Sequence, residues 1–324
     1  NGWQVTVEDN ELPTITCPAD VTVNTDASTC EAKLVVLGTE ASNDNCTGSV
    51  VTNDEPLTYL LGNTTVLFTI TDGSGNTATC SQLVTVEDNE LPTITCPIDV
   101  TVNTDVSSCE ATLVVLGTET SADNCTGSVV TNDEPSTYVL GNTTVLFTIT
   151  DGSGNTATCS QVVTVEDNEL PTIICPIDVT VNTDASTCET TLVVLGTETS
   201  ADNCTGSVVT NNEPSAYVLV NTTVLFTITD GSGNTATCSQ VVTVEDNELP
   251  TITCPADVTV TTDASSCEAT LVVLGTETSA DNCTGSVVTN DEPSAYVLGN
   301  TTVLFTITDG SGNTATCSQV VTVE

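Results

Sequence analysis

The feature that most constrains this chain is its period. Val-Glu-Asp-Asn-Glu-Leu-Pro-Thr-Ile runs from Val7 to Ile15 and returns at Val86, Val165 and Val244, each copy 79 residues after the last. The chain stops at Val323-Glu324 as the motif begins again. Self-similarity at a fixed period marks an array of one repeated unit, and the fold must be reasoned for that unit. Three acidic residues and an Asn followed by Leu-Pro separate alternating apolar runs, so the motif reads as a joint between modules. The modules are then residues 9–87, 88–166, 167–245 and 246–324. Residues 1–8 read as the tail of a preceding module, because Val5-Thr6-Val7-Glu8 matches Val84-Thr85-Val86-Glu87. With no Met, signal peptide or membrane span in view, the stretch reads as a window on a longer array or a processed product.

The charge balance excludes some partners. Forty-four acidic residues stand against one Lys, Lys33, with no Arg and no His, a net charge of −43. Such a chain repels nucleic acid and anionic membranes. Disorder does not follow from the charge, because 38% of residues are apolar, many of them Val, Ile and Leu in alternation. A 79-residue unit is small for a self-sufficient core and calls for staples. Four cysteines per unit provide them: Cys17, Cys30, Cys46 and Cys80 and their equivalents. An even count, no CxxC and no His point to a disulfide framework in an oxidising, extracellular compartment. Four cysteines allow three pairings, and the residues alone leave all three open.

Within one unit the signals are those of short strands and turns. Thr14 to Val23 reads as two strands broken at Cys17-Pro18. Asn24 to Thr29 is a turn, Leu34 to Leu37 a short buried strand, and Thr39 to Gly48 a polar loop. Ser49 to Thr52 and Thr58 to Leu61 follow as strands. Thr64 to Thr71 places Val66, Phe68 and Ile70 on one face and returns through the Asp72–Asn76 turn into Thr77 to Val86. No window has helical period. The expected fold is all-β: tandem immunoglobulin-like sandwiches in a linear, beads-on-a-rod array.

The order Asp-x-x-x-Pro-x-Ile-x-Cys-Pro-x-Asp from Asp9 to Asp20, Asp44-Asn45-Cys46, Gly62-x-Thr-x-Val and Thr71-Asp72-x-x-Gly75-Asn76-x-Ala-x-Cys80 resembles the hyalin repeat, or HYR, domain, four times over. The resemblance implies an immunoglobulin or fibronectin-III-like module of extracellular adhesion and surface proteins. It also implies the pairing Cys17–Cys80, since some members keep only those two cysteines, which leaves Cys30–Cys46. By period the others are Cys96–Cys159, Cys109–Cys125, Cys175–Cys238, Cys188–Cys204, Cys254–Cys317 and Cys267–Cys283. The unit departs from the family at Leu60-Leu61-Gly62, where an aromatic and a Pro usually precede the Gly.

Catalysis is disfavoured: without His no Ser-His or Cys-His nucleophile can be assembled, and near-identical units provide no unique cleft. Calcium is the stronger chemistry, since it takes six to eight hard oxygens. In a sandwich entered at one end and left at the other, Glu8 to Glu11 approach Glu40, Asp44 and the Asp72–Asn76 hairpin. The expected metal ligands are Asp9, Asn10, Glu11, Asp44 and Asp72; Asp88, Asn89, Glu90, Asp123 and Asp151; Asp167, Asn168, Glu169, Asp202 and Asp230; and Asp246, Asn247, Glu248, Asp281 and Asp309. The competing reading has Asp44 and Asp72 only capping turns. Asn-x-Thr sequons put N-glycans at Asn63, Asn142, Asn221 and Asn300, with Asn45, Asn124, Asn203 and Asn282 as weaker acceptors beside a cysteine.

The function expected from the sequence is structural: a secreted or cell-surface tandem-repeat protein forming a calcium-stiffened, glycosylated rod, fibre or stalk segment, and not an enzyme. Its partners would be neighbouring repeats, copies of itself, or cell-surface and matrix ligands. The alternative is a multivalent adhesin whose repeated loops hold carbohydrate or protein weakly and gain from avidity. Aromatics are 3% of the chain, which is poor material for sugar platforms, and Tyr59, Tyr138, Tyr217 and Tyr296 are the candidate rings.

Overall fold

A computed structural model describes residues 2–324 of the chain; Asn1, assigned by sequence to the tail of a preceding module, lies outside the described residues. Every regular element in them is a strand. The first repeat holds eight: β1 (Thr14–Thr16), β2 (Val21–Asn24), β3 (Glu31–Ala32), β4 (Ala41–Asn43), β5 (Val50–Asn53), β6 (Tyr59–Leu60), β7 (Gly62–Thr71) and β8 (Thr77–Glu87). The same set recurs three times more. Contacts divide the chain into two compact units, one reaching Asp105 and including Cys109–Glu166, the other Val106–Ser108 with Asp167–Glu324.

Each repeat is a sandwich. One layer is the four-stranded sheet β2-β8-β7-β5, with β2 parallel to β8 and the other pairs antiparallel. The other layer is two ribbons, β1-β4 and β3-β6. The long hairpin β7–β8 is set by the Asp72–Asn76 turn, where Asp72 Oδ1 accepts from the backbone of Ser74 and Asn76, both at 2.8 Å. Its alternation turns Val66, Phe68 and Val84 inward onto Tyr59, Ala32 and Leu37, and Cys17–Cys80 ties the end of β1 to β8 across the layers. Every equivalent bond is present: Cys96–Cys159, Cys175–Cys238 and Cys254–Cys317.

Two polar devices, one buried and one exposed, hold the layers in register. Gln82 is fully buried, and its amide donates to the carbonyls of Ala19 at 2.6 Å and Leu37 at 2.8 Å. Gln161, Gln240 and Gln319 repeat this. Asp20 Oδ1 accepts from Leu83 N at 2.9 Å, standing in for a strand carbonyl where the Cys-Pro break interrupts the edge. The Asp of the Cys-Pro-x-Asp motif is therefore a backbone cap.

The structure differs from the expected elements in four places. Leu34 to Leu37 is not a strand: Val35 and Leu37 are buried, while Leu34, at φ 56, and Val36 face solvent. The Leu37 carbonyl finds its donor in Gln82 and not in a ladder. The pairing falls earlier, on Glu31–Ala32 against Tyr59–Leu60. Ala41–Asn43 in the expected polar loop is a strand, because β1 needs a partner there. Tyr59, Tyr138, Tyr217 and Tyr296 are 1–2% exposed, so none can serve as a sugar platform. Val5 to Val7 belong to no strand and are exposed, whereas Val84 and Val86 are buried between β2 and β7.

Candidate functional site

The joint between the first and second repeats shows what the repeated acidic motif does. β8 ends at Glu87, whose carbonyl accepts from Thr25 N at 2.9 Å. Asp88 follows, 5% exposed. Its carboxylate lies with those of Asp123, from the second repeat's polar loop, and Asp151, from its hairpin turn, one oxygen of each within 4.8 Å of the others. The same trio forms from Asp9, Asp44 and Asp72, from Asp167, Asp202 and Asp230, and from Asp246, Asp281 and Asp309. These are the aspartates expected from sequence to converge.

The electrostatics of the trio are unbalanced. Asp88 Oδ2 and Asp123 Oδ1 are shut off from solvent and have no hydrogen-bond donor, and so is Asn124 Oδ1 beside them. Asp9 Oδ2, Asp44 Oδ1 and Asp281 Oδ1 repeat the pattern. The only basic side chain in the protein, Lys33, is engaged with Glu31 at 2.7 Å. Burial pushes the Asp151 carboxyl pKa up, but donation from the Asn155 side chain and backbone, Ser153 and Gly154 outweighs it and holds the group below the ordinary range. Asp72, Asp230 and Asp309 are held down in the same way. Three carboxylates thus share one spot with enclosed, unpartnered oxygens and no cationic side chain. Such oxygens are costly unless a cation meets them, and an all-oxygen donor set fits a hard divalent ion such as Ca²⁺.

The other expected ligands go elsewhere. Asn89 Nδ2 donates to Asn24 Oδ1 at 2.7 Å, and Glu90 Oε2 accepts from Ser28 N at 2.8 Å, so both reach back to the first repeat. Asn247 bonds Asn182 likewise, and Glu169 and Glu248 accept from Ser107 and Ser186. Asn10 and Glu11 stay outside their trio; Glu11 contributes a backbone donor to Asp9 Oδ1 and a carbonyl to Asn76.

The disulfides at the joint correct the sequence reading. Cys30 pairs with Cys125 and not with Cys46, and Cys188 pairs with Cys283. Four expected bonds are thereby excluded: Cys30–Cys46, Cys109–Cys125, Cys188–Cys204 and Cys267–Cys283. The reason is that the turn carrying Cys30 sits at the exit end of its sandwich, and the loop carrying Cys46 or Cys125 sits at the entry end. Cys30 therefore meets the loop of the next repeat, with 95 residues between the partners. Around Cys30–Cys125, Asn124 Nδ2 donates to Thr29 O at 3.0 Å and to Asp88 Oδ1 at 3.1 Å, and Asn155 Nδ2 donates to Asp88 O at 2.9 Å. Around Cys188–Cys283, Asn282 Nδ2 donates to Thr187 O and Thr183 Oγ1, both at 3.2 Å, and Asn313 Nδ2 to Asp246 O at 3.0 Å. Both of these joints combine one covalent bond, a hydrogen-bonded Asn and an acidic trio. The cue available in the sequence was the Asn-Cys pair beside the acidic loop, which reads as a sequon until its amide is seen to be engaged.

Comparison with known proteins agrees with the architecture. The sequence model of the HYR domain matches residues 8–86, 87–165 and 245–323. Hyalin of Strongylocentrotus purpuratus is 29% identical over 344 residues, an alignment covering 98% of this chain and 28% of that protein. Hyalin of Lytechinus variegatus is 26% identical over 282 residues, covering 82% of this chain and 53% of that one. The chain thus spans between about a quarter and a half of these relatives. Among solved structures, extracellular cadherin domains 1–5 of protocadherin gamma B2 align with 97% of this chain at 12% identity and a TM-score of 0.34, a likeness too loose to bear on function. Matched by that sequence model over most of its length and built of the same strand set in every period, the chain belongs to the HYR domain family.

Proposed function

We propose that this chain is a structural segment of an extracellular repeat protein of the adhesion type, in which each joint is stiffened by a bound calcium ion and serves to fix one module against the next. The observation that carries the reading is the aspartate trio at every joint, with enclosed oxygens that have no donor. The bound ion would be held by Asp88, Asp123 and Asp151 and their equivalents, where it would neutralise three clustered carboxylates. Asp88 belongs to the connecting segment and the other two to the sandwich, so such an ion would resist bending at the linker. The chain's own residues prepare the site. Asn155 pins the backbone of Asp88, and the Asp151 turn is rigidified by its own backbone donors.

N-glycans on Asn63, Asn142, Asn221 and Asn300 fit the same reading. All four are exposed on a long strand of the hairpin, and the Asn63, Asn142 and Asn300 side chains use only their oxygens, as acceptors for Thr85, Thr164 and Thr322. Asn124 and Asn282 have their amide nitrogens engaged across a joint and are poor acceptors.

Thermal unfolding in excess chelator and in calcium tests the reading. A ligand at about 100 times its Kd adds about 2.7 kcal/mol per site, so the transition rises with calcium, and Asp123→Asn lowers the gain. Transitions that coincide in chelator and calcium would remove calcium from the account.

A further inference from the structure

Away from the joints, the second and third repeats each carry an apolar groove. In the second repeat Val114 to Thr118 belongs to no strand, although the strand Thr120–Ala122 follows at once. The register Thr120↔Thr95 would carry these residues alongside Cys96 to Ile98, but Pro97 has no N–H to give a ladder, and pairing stops there. Gly117 lies against the proline instead; a Cβ on it would stand 3.2 Å from Pro97 Cβ. The result is a groove of about 530 Å³ lined by Cys96, Pro97, Ile98, Val115, Leu116 and Gly117 among others. Its walls are bare, with Ile98 87% and Val115 83% exposed. The third repeat has the same groove, of about 420 Å³, on Ile177 and Val194.

The repeats differ at this spot. Ala19 and Ala256 stand in the first and fourth repeats where Ile98 and Ile177 stand in the middle two. The backbone beneath is the same in all four, because the buried Gln amide donates to the carbonyl of Ala19, Ile98, Ile177 and Ala256 alike. The isoleucine side chains therefore do no work for the fold, and they enlarge an apolar surface in a protein that is otherwise acidic. Bare apolar walls of this kind mark a binding surface. Charge narrows the partner. Asp99 follows Ile98 and Glu119 follows Thr118 in the chain, as Asp178 and Glu198 follow Ile177 and Thr197. The one basic side chain in the protein is held by Glu31 in the first repeat. A second copy would bring 44 acidic residues against the same number, so like charge opposes it as occupant.

We propose that the grooves on Ile98 and Ile177 each dock an extended cationic segment of a partner protein, in which apolar side chains alternate with Lys or Arg. The apolar side chains enter the groove against Ile98 and Val115, and the basic ones between them meet Asp99 and Glu119. The backbone of Val114 to Thr118, which pairs with no strand, supplies main-chain hydrogen bonds to the segment. Attraction to the acidic surface speeds the encounter, and the apolar contact decides which cationic segments stay. Two grooves on one chain let a partner with two such segments gain from avidity. Calcium at the joints is not required for this site, since none of the aspartate trios lines it.

The test is fluorescence anisotropy of a labelled Lys-Val-Lys-Val-Lys-Val-Lys peptide titrated with the 324-residue chain, in calcium and in chelator. Binding is expected in both, so failure of the calcium reading stays separable from failure of this one. The double variant Ile98→Ala/Ile177→Ala keeps its thermal transitions, because two repeats carry Ala there already, and weakens binding about tenfold. The converse variant Ala19→Ile/Ala256→Ile, at two exposed positions, raises the number of peptides bound per chain. Equal affinity for the Ile98→Ala/Ile177→Ala variant would overturn the proposal. So would equal binding of a peptide with Ser in place of Val, since charge alone would then explain it, or no binding at all. Octyl glucoside monomers bound in an Ile98-dependent way in place of the peptide would give the groove to a small apolar ligand. Self-association lost in the double variant, read by sedimentation, would give it to a second copy; either result contradicts the assignment.

Discussion

The sharpest perturbation of the joint is removal of Cys30–Cys125 by replacing both residues with Ala, which leaves no stray thiol. Cys17–Cys80 already short-circuits the chain, so the shortest covalent route between the two residues spans roughly 60 residues, not the full 95 of sequence separation, and closing such a loop is worth about 4 kcal/mol in the chain-entropy account. The compact unit that contains this bond is the one reaching Asp105 and including Cys109–Glu166. At about 2.1 cal/mol/K per residue over roughly 160 residues, losing 4 kcal/mol lowers its melting transition by about 12 °C. The second unit, which keeps Cys188–Cys283, holds its own. Calorimetry of the 324-residue chain in chelator should therefore split into an early and an unchanged transition. A shift below about 3 °C would refute the reasoning, since the bond would then tie together modules already fixed by other contacts. The hydrogen bonds of Asn124 would have to supply that fixing.

Further tests address single elements. Val220, a β-branched residue at φ 111°, occupies a position held by Gly in the other repeats; Val220→Gly should stabilise the third repeat by about 1 kcal/mol in denaturant titration, the strain relieved exceeding the entropy of Gly. Gln161→Ala leaves the Leu116 and Ile98 carbonyls without their donor and should cost the second repeat about 3 kcal/mol. The carboxyls of Asp72, Asp151, Asp230 and Asp309 titrate below their unfolded value in the folded chain, so their stabilising contribution is complete above about pH 4 and is lost as pH falls through the lowered values. Circular dichroism against pH in chelator should show acid loosening that Asp151→Asn diminishes. Secreted from a glycosylating host, the chain should carry glycan at Asn142 and none at Asn124, read by mass spectrometry of the two peptides.

Much of the module was legible because its signals are local. The Asp72–Asn76 turn and the alternation of Val66, Phe68 and Ile70 specify the β7–β8 hairpin within about 25 residues, and Pro18 marks the break between β1 and β2. Leu34 to Leu37 misled because a run of four apolar residues looks like a buried strand. Its backbone instead takes a positive φ at Leu34 and hangs from Gln82, a residue 45 positions away that no window includes. The aspartate trio was legible because each member is a loop residue at one end of a sandwich. Cys30–Cys125 was not, since period arithmetic treats every repeat as closed. Which end of the sandwich each cysteine occupies is a matter of strand direction, and that appears only once β2 is seen parallel to β8.

The account rests on the joint being covalent between neighbours, and peptide mapping under non-reducing conditions tests that most directly. Cleavage after aspartate-bounded segments is useless, because residues 44–53 and 123–132 are identical in sequence. Glutamate-specific digestion separates them as residues 41–55 and 120–134, which differ in mass. In the monomer, an alkylating reagent should label 41–55 as a thiol, while 120–134 is recovered joined to 12–31, which carries Cys30 and is itself bridged to 56–87 through Cys17–Cys80. Recovery of 41–55 joined to 12–31, with 120–134 in no link to it, would put Cys30 with Cys46 and contradict the account.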